Sequence, residues 1–115
     1  MNLMRTVLLA VLALVLSQAT GAQNAAPREL AAQRLQHRGE WLLEYGDPDT
    51  RATAAMAIFE QVVSEYPDTE LRKWARLKQV QCLQWMRRYD DAIALSEEIL
   101  KEHPGELVAA WAQLF

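Results

Sequence analysis

Two stretches of this sequence match each other: residues 55–67 are AMAIFEQVVSEYP, and residues 92–104 are AIALSEEILKEHP. Both are rich in helix-forming residues, and each ends at a proline, which cannot donate the backbone hydrogen bond that a helix interior requires. The two prolines lie 37 residues apart. A fixed period of this size predicts a solenoid, in which each helix pair needs a stacked neighbour to bury its apolar face.

The match continues beyond each proline. The aligned residues are Trp74 with Trp111, Ala75 with Ala112, and Leu77 with Leu114. The repeat therefore covers a helix, a break and the start of the next helix.

Glycine and proline fall at only a few points after residue 28, and these points divide the chain into helices. Five helices are predicted, over residues 28–45, 49–65, 69–86, 90–102 and 106–115. No segment has strand character. The predicted fold is therefore all-α, a row of antiparallel helix pairs.

The N-terminus predicts a secretory signal peptide. Arg5 precedes an unbroken apolar run over residues 7–16, and small residues follow over 17–23. The run is shorter than the ~20 residues of a membrane-spanning helix and fits the ~7–15 residues of a signal. Cleavage is predicted after Ala22, with Ala19 as the alternative site, and an uncleaved anchor is the other interpretation. The predicted domains are a signal peptide (1–22), a flexible linker (23–27) and a helical domain (28–115).

The cleaved chain would be small and mildly acidic. Loss of Arg5 leaves 11 Lys and Arg residues against 15 Asp and Glu residues. This balance argues against nucleic-acid and membrane-surface binding, which need a positive surface. Cys82 is the only cysteine, so the chain cannot form an internal disulfide, and no cysteine near the cleavage site could carry a lipid. We predict no nucleic-acid partner and no stable membrane anchor after cleavage.

Residues 89–104, YDDAIALSEEILKEHP, resemble the second helix of a tetratricopeptide repeat, in the longer-period form common in bacterial envelope proteins. The resemblance places Ala55 and Ala92 at the small position where this helix meets its partner, and Phe59 at a bulky position. It implies a right-handed solenoid with repeat 1 over 28–67 and repeat 2 over 68–104. Residues 105–115 would form a capping helix or part of a third repeat.

The chain departs from the family pattern at three positions. The family prefers Gly or Ala at Val80, Gly at Arg87 and an aromatic residue at Ser96. Gly39 is the candidate small position of the first helix, flanked by the larger Leu35 and Leu42.

In this family the first helices of successive pairs usually line a concave groove that holds a peptide or a partner helix. The resemblance therefore implies a binding scaffold, not an enzyme, with no cofactor. The repeats are similar to those of proteins that accompany the Tol-Pal envelope system or outer-membrane barrel assembly. The expected function is a periplasmic or secreted interaction scaffold. The alternative is a small accessory or metal-binding subunit of a larger exported enzyme.

One candidate binding stripe lies on the third helix. Trp74, Lys78, Gln81 and Trp85 share a face at helical spacing. The indoles could supply burial, and Lys78 could meet a carboxylate or carbonyl of a partner. The other interpretation is that both tryptophans belong to the core.

The last predicted helix is a second candidate interface. Val108, Trp111, Leu114 and Phe115 are apolar, and solenoid ends usually have a polar outer face. Three interpretations stay open: the helix folds back as a cap, another chain covers it, or the sequence is part of a longer protein. The second predicts self-association or a helical partner through Trp111 and Phe115.

A few polar residues are candidates for metal binding or thiol chemistry. His37, Glu40 and Glu44 share one helix face and could contribute metal ligands, although a solvated face is the simpler interpretation, and no metal or catalytic residue is predicted. Cys82 lacks a nearby histidine and is predicted to be an inert buried thiol.

Charge separates between the third and fourth helices. The third carries Arg72, Lys73, Arg76 and Lys78, and the fourth carries Asp90, Asp91, Glu97, Glu98 and Glu102. We expect ion pairs between these neighbouring helices. The alternative is an acidic partner recognised by this side.

Overall fold

The computed structural model describes the backbone of residues 2–114 and the side chains of residues 6–7 and 26–114. Within this range the chain forms five helices and no strand, which confirms the all-α prediction. The helices are α1 (Asn2–Tyr45), α2 (Arg51–Glu65), α3 (Leu71–Trp85), α4 (Tyr89–Glu102) and α5 (Leu107–Gln113).

The first helix begins earlier than predicted. We expected a helix from residue 28 after a flexible linker over 23–27, whereas α1 runs through this segment with Pro27 inside it. Alanine and leucine dominate the sequence before Pro27, and their helix propensity continues the helix past the one backbone hydrogen bond that proline removes. The signal peptide and its cleavage site stay predictions. Of the helices built from the described residues, none combines the length and apolar character that a membrane crossing requires.

Each helix packs against the next in the chain, and two apolar clusters hold the row together. One cluster joins α1, α2 and α3 and contains Phe59, Val62 and Cys82. The other joins α3, α4 and α5 and contains Val80 and Ile99. Because α3 contributes to both clusters, the two repeats form one continuous core.

The small positions of the repeat allow close helix packing, as predicted. Ala55 and Ala92 are buried. At Gly39 a Cβ atom would lie 2.7 Å from the ring carbon Cε1 of Phe59, which is fully buried. The bulky residue of α2 therefore packs directly on the α1 backbone.

Two departures from the family pattern are accommodated in the core. Val80, on α3, is fully buried in the cluster that α3 shares with α4 and α5. Ser96 is buried in α4, where its Oγ donates a hydrogen bond of 2.9 Å to the carbonyl oxygen of Ala92. That bond satisfies a hydroxyl that would otherwise be costly to bury.

The third departure, Arg87, carries backbone strain. The residue has a φ of 59°, in the left-handed region that favours glycine. It follows α3 in a Schellman motif: Arg88 N–H donates to the Leu83 carbonyl at 2.8 Å, and Arg87 N–H donates to the Gln84 carbonyl at 3.0 Å. The family's preference for glycine here thus has a conformational reason.

We expect Arg87→Gly to raise the free energy of unfolding by about 0.5–1 kcal/mol. The free energy gained by relieving the left-handed backbone strain exceeds the entropic cost of making the unfolded chain more flexible. Urea denaturation followed by circular dichroism measures the change. Arg88→Gly is the control, since Arg88 has a φ of −93° and carries no such strain. Destabilisation by Arg87→Gly would contradict this explanation.

The expected charge complementarity between α3 and α4 is confirmed. The Arg76 side chain is buried and donates to Glu98 at 2.9 Å and also to Glu102. Arg72 lies 3.9 Å from Glu102. These bonds tie the second repeat's helices together beside its apolar core.

The contacts between alternate helices indicate which way the row curves. α1 contacts α3, and α3 contacts α5, whereas α2 and α4 do not touch within the described part of the chain. The helices α1, α3 and α5 therefore lie on the inner side of the curve, and α2 and α4 lie on the outer side.

Candidate partner-binding groove

The inner face carries most of the predicted binding stripe. Trp74, Lys78, Gln81 and Trp111 line one cavity of about 240 Å³ between α3 and α5. The helical spacing on α3 and the match of Trp74 to Trp111 thus bring four of the six candidate residues together. Trp85 lines an adjoining cavity with Lys78 and Gln81. Phe115 lies outside the described residues.

Two further cavities lie between α1 and α3. The smaller, of about 250 Å³, is lined by Trp74 and Lys78 of α3 and by polar residues of α1. Among the latter, Gln36 is buried, and its Oε1 has no hydrogen-bond partner among the described residues. Because Lys78 lines all three cavities, they adjoin one another as a single groove.

The largest of these three cavities, of about 580 Å³, lies at the C-terminal end of α3. Its lining consists of Glu40, Leu43, Glu44, Arg51, Lys78, Gln81 and Trp85. Charged residues from three helices thus line this opening together with the apolar Leu43 and Trp85.

The tryptophans of the groove differ in burial. Trp74 is half-buried and packs against the core cluster of α3, α4 and α5. Trp85 is 54% exposed and Trp111 is 46% exposed. The interpretation of the tryptophans as core residues therefore describes Trp74 in part and does not describe Trp85.

Arg51 is a charged residue of the groove that sequence reasoning missed. The guanidinium carbon of Arg51, at the start of α2, lies 4.1 Å from the ring centroid of Trp85. This cation–π contact joins residues far apart in sequence, and no local pattern signals it.

A family model described as Tetratricopeptide repeat matches residues 42–114, which is more than half of the chain. The chain belongs to the tetratricopeptide repeat family. Members of this family are typically non-catalytic scaffolds that bind other proteins. No curated protein and no solved structure matches the chain.

The candidate metal ligands of this tetratricopeptide repeat protein do not form a cluster. His37 is largely exposed, and its Nδ1 lies 3.8 Å from a carboxylate oxygen of Glu40. Nowhere in the described side chains do three or more His, Cys, Asp or Glu residues converge as metal ligands. Glu40 and Glu44 instead line the groove.

Cys82 follows the groove residue Gln81 in sequence and is fully buried in the first apolar cluster. Burial raises the pKa of its thiol to about 11, and the nearby Lys78 opposes this shift only in part. The thiol is therefore protonated near neutral pH. Its burial and high pKa agree with the predicted inert role.

Near neutral pH we expect the Cys82 thiol to react with iodoacetamide at least about 100-fold more slowly in the native protein than in the unfolded chain. The reactive form is the thiolate, and the raised pKa makes the thiolate scarce in the native protein. Mass spectrometry after timed quenching, with and without urea, measures both rates. Equal rates in the two conditions would contradict the burial of this residue.

Shifted pKa values also occur at the opposite end of the helices, away from the groove. There Lys73 lies 3.1 Å from Glu106, and His103 lies 2.8 Å from the same carboxylate. The hydrogen bond from Lys73, followed by that from His103, lowers the pKa of the Glu106 carboxyl. This exposed cluster links α3 to the turn before α5.

The short helix α5 has two different faces. Val108, Ala109 and Ala112 are buried toward α3 and α4. Leu107, Trp111 and Leu114 are exposed, and Trp111 also lines the groove. Val108, one of the apolar residues for which a folded-back cap, a covering chain or a longer protein was considered, is covered within the chain.

Proposed function

We propose that this tetratricopeptide repeat protein is an exported, periplasmic scaffold that binds a peptide or a partner helix in the groove formed by α1, α3 and α5. The partner would belong to an envelope-related assembly. The protein's role in that assembly is to hold its partner, without catalysis.

The observation that carries this proposal is the convergence of exposed indoles with hydrogen-bonding side chains. Trp85 and Trp111 are large apolar surfaces that a partner could cover, and Lys78 and Gln81 lie between them. Aromatic residues surrounded by polar groups are typical of sites that contribute most to protein binding.

Export is supported by the sequence of the N-terminus. Arg5, the apolar run and the small residues ending at Ala22 form the three parts of a secretory signal. Expression in a Gram-negative bacterium, followed by fractionation and intact-mass measurement, tests this part. A periplasmic chain beginning at Gln23 or Thr20 is expected, and a full-length cytoplasmic chain would contradict it.

Partner binding is tested by affinity capture from envelope extracts. We expect a specific partner to bind the wild-type protein and to be lost when Trp85→Ala and Lys78→Ala are combined. Tyr89→Ala is the matched control, because Tyr89 is an exposed aromatic residue of α4. Equal capture by all three proteins would contradict binding in the groove.

We also propose self-association, or binding of a helical partner, through the exposed residues Leu107 and Leu114 of α5. Leu107 and Leu114 are 65% and 74% exposed there, and contiguous exposed apolar residues commonly mark interfaces. Sedimentation velocity at several concentrations is expected to show dimers that Leu107→Glu with Leu114→Glu converts to monomers. A wild-type monomer at every concentration would contradict self-association.

A further inference from the structure

The largest cavity of the groove has opposite charges on its two sides. Glu40 and Glu44 come from α1. Arg51 and Lys78 come from α2 and α3. The groove therefore has an acidic wall, defined as Glu40 and Glu44, and a basic wall, defined as Arg51 and Lys78.

The two walls do not neutralise each other. Among the described side chains, no ion pair within 4.0 Å joins the acidic wall to the basic wall. Glu40 approaches only His37, and the charged group of Arg51 lies over the Trp85 ring. Between α3 and α4, by contrast, Arg76 lies 2.9 Å from Glu98. The charges of the groove are thus available to a bound segment.

The walls run along the groove. Glu40 and Glu44 are four residues apart on one helix, so their side chains lie about one turn apart on the same face. Because consecutive helices of the row are antiparallel, α1 and α3 run in the same direction. A helix lying between them would have one flank beside each wall.

We propose that the groove binds an amphipathic partner helix in a single direction, with its basic flank against Glu40 and Glu44 and its acidic flank against Arg51 and Lys78. Turning such a helix end for end keeps its apolar face in the groove but exchanges its flanks, so like charges then meet. This inference rests on the proposed function and adds the partner's charge pattern and orientation.

We expect the four ion pairs together to favour one direction by about tenfold. The preference is modest because each pair is partly exposed and contributes little by itself. The preference weakens as salt is added, because screening acts on exposed charges. The apolar contacts with Leu43 and Trp85 are the same in both directions and supply affinity without orientation.

The test uses the full chain and a synthetic amphipathic helix of about five turns, with leucines on one face, lysines on one flank and glutamates on the other. One form carries a nitroxide at its N-terminus and a second form carries it at its C-terminus. The readout is paramagnetic broadening of the indole N–H signals of Trp74 and Trp85, which lie about 16 Å apart along α3. Trp→Phe variants assign these signals.

Three proteins are compared: wild type, a wall-exchanged variant (E40K/E44K/R51E/K78E) and a neutral variant (E40Q/E44Q/R51Q/K78Q). In wild type, we expect the peptide labelled at one end to broaden one of the two indole signals about tenfold more than the other signal. The peptide labelled at the opposite end should broaden the other indole signal more. The pattern should invert in the exchanged variant and disappear in the neutral one.

Two other outcomes would each contradict a different claim. Equal broadening of both indoles in wild type, with clear binding, would overturn the single direction while leaving groove binding intact. No change in any indole signal on adding the peptide would instead contradict groove binding, and with it the proposed function. If the exchanged variant fails to fold, an unchanged directional pattern in the neutral variant would overturn the inference.

Discussion

Phe59→Ala is expected to lower the free energy of unfolding by about 3–5 kcal/mol, the usual range for truncating a fully buried aromatic residue. The ring of Phe59 fills the space above Gly39, where α2 packs directly on the α1 backbone. Alanine would leave a cavity that the glycine backbone cannot fill. Because small domains are stable by only about 5–15 kcal/mol, the variant should be close to unfolding. Urea denaturation followed by circular dichroism measures the loss.

Ile93→Ala is the matched control for this prediction. Ile93 lies on α4 and is 54% exposed, so its truncation should change stability by about 0.5 kcal/mol or less. Similar losses for both variants would mean that Phe59 does not fill the joint between α1 and α2.

The double substitution E98A/E102A is expected to lower the free energy of unfolding by about 2–4 kcal/mol, because it leaves the buried Arg76 guanidinium without its carboxylates. Arg76 is 5% exposed. The carboxylates themselves are about half exposed, so solvent screening places the loss below that of a fully buried pair. Thermal and urea denaturation both report it.

Arg76→Met separates the cost of an unpaired buried charge from the value of the ion pair. Methionine fills similar space without charge, and the freed carboxylates are solvated, so we expect a change of about 1 kcal/mol or less. The triple variant R76M/E98A/E102A should be more stable than E98A/E102A. If the triple variant is the less stable of the two, the ion pairs stabilise the fold directly and the explanation is wrong.

The repeat arrangement could be predicted from sequence because its signals are local. The prolines at 67 and 104 end helices by removing a backbone donor, and the 37-residue offset carries small and large positions together. The family resemblance marked Gly39 as a small position and Phe59 as a bulky one, and the structure shows that the two residues meet. The extent of α1 could not be predicted this way, because helix propensity competes with Pro27 over a segment that we assigned to a linker.

The groove could be predicted only in part. Spacing on one helix placed Trp74, Lys78, Gln81 and Trp85 on a common face, and the repeat match brought Trp111 beside them. The exposure of the tryptophans could not be predicted, because Trp74 packs against the cluster shared with α4 and α5, whereas Trp85 lines a cavity beside Arg51 of α2.

Contacts between distant helices were the hardest part of the site to predict. Arg51 reaches Trp85 only because the start of α2 lies beside the end of α3. Glu40 and Glu44 drew attention as metal ligands and proved to line the groove instead. Their role depends on the neighbouring helices, which single-helix spacing does not describe.

The measurement that tests the central claim most directly is site-specific photocrosslinking of the full chain in intact cells of its source. A photoreactive amino acid is placed either at Gln81, in the groove, or at Ala57, which is exposed on the outer helix α2. We predict that Gln81 crosslinks one partner, that Ala57 does not, and that Trp85→Ala abolishes the Gln81 adduct. Crosslinking of the same partner from Ala57 alone, or no loss of the Gln81 adduct in the Trp85→Ala variant, would contradict a partner-binding groove.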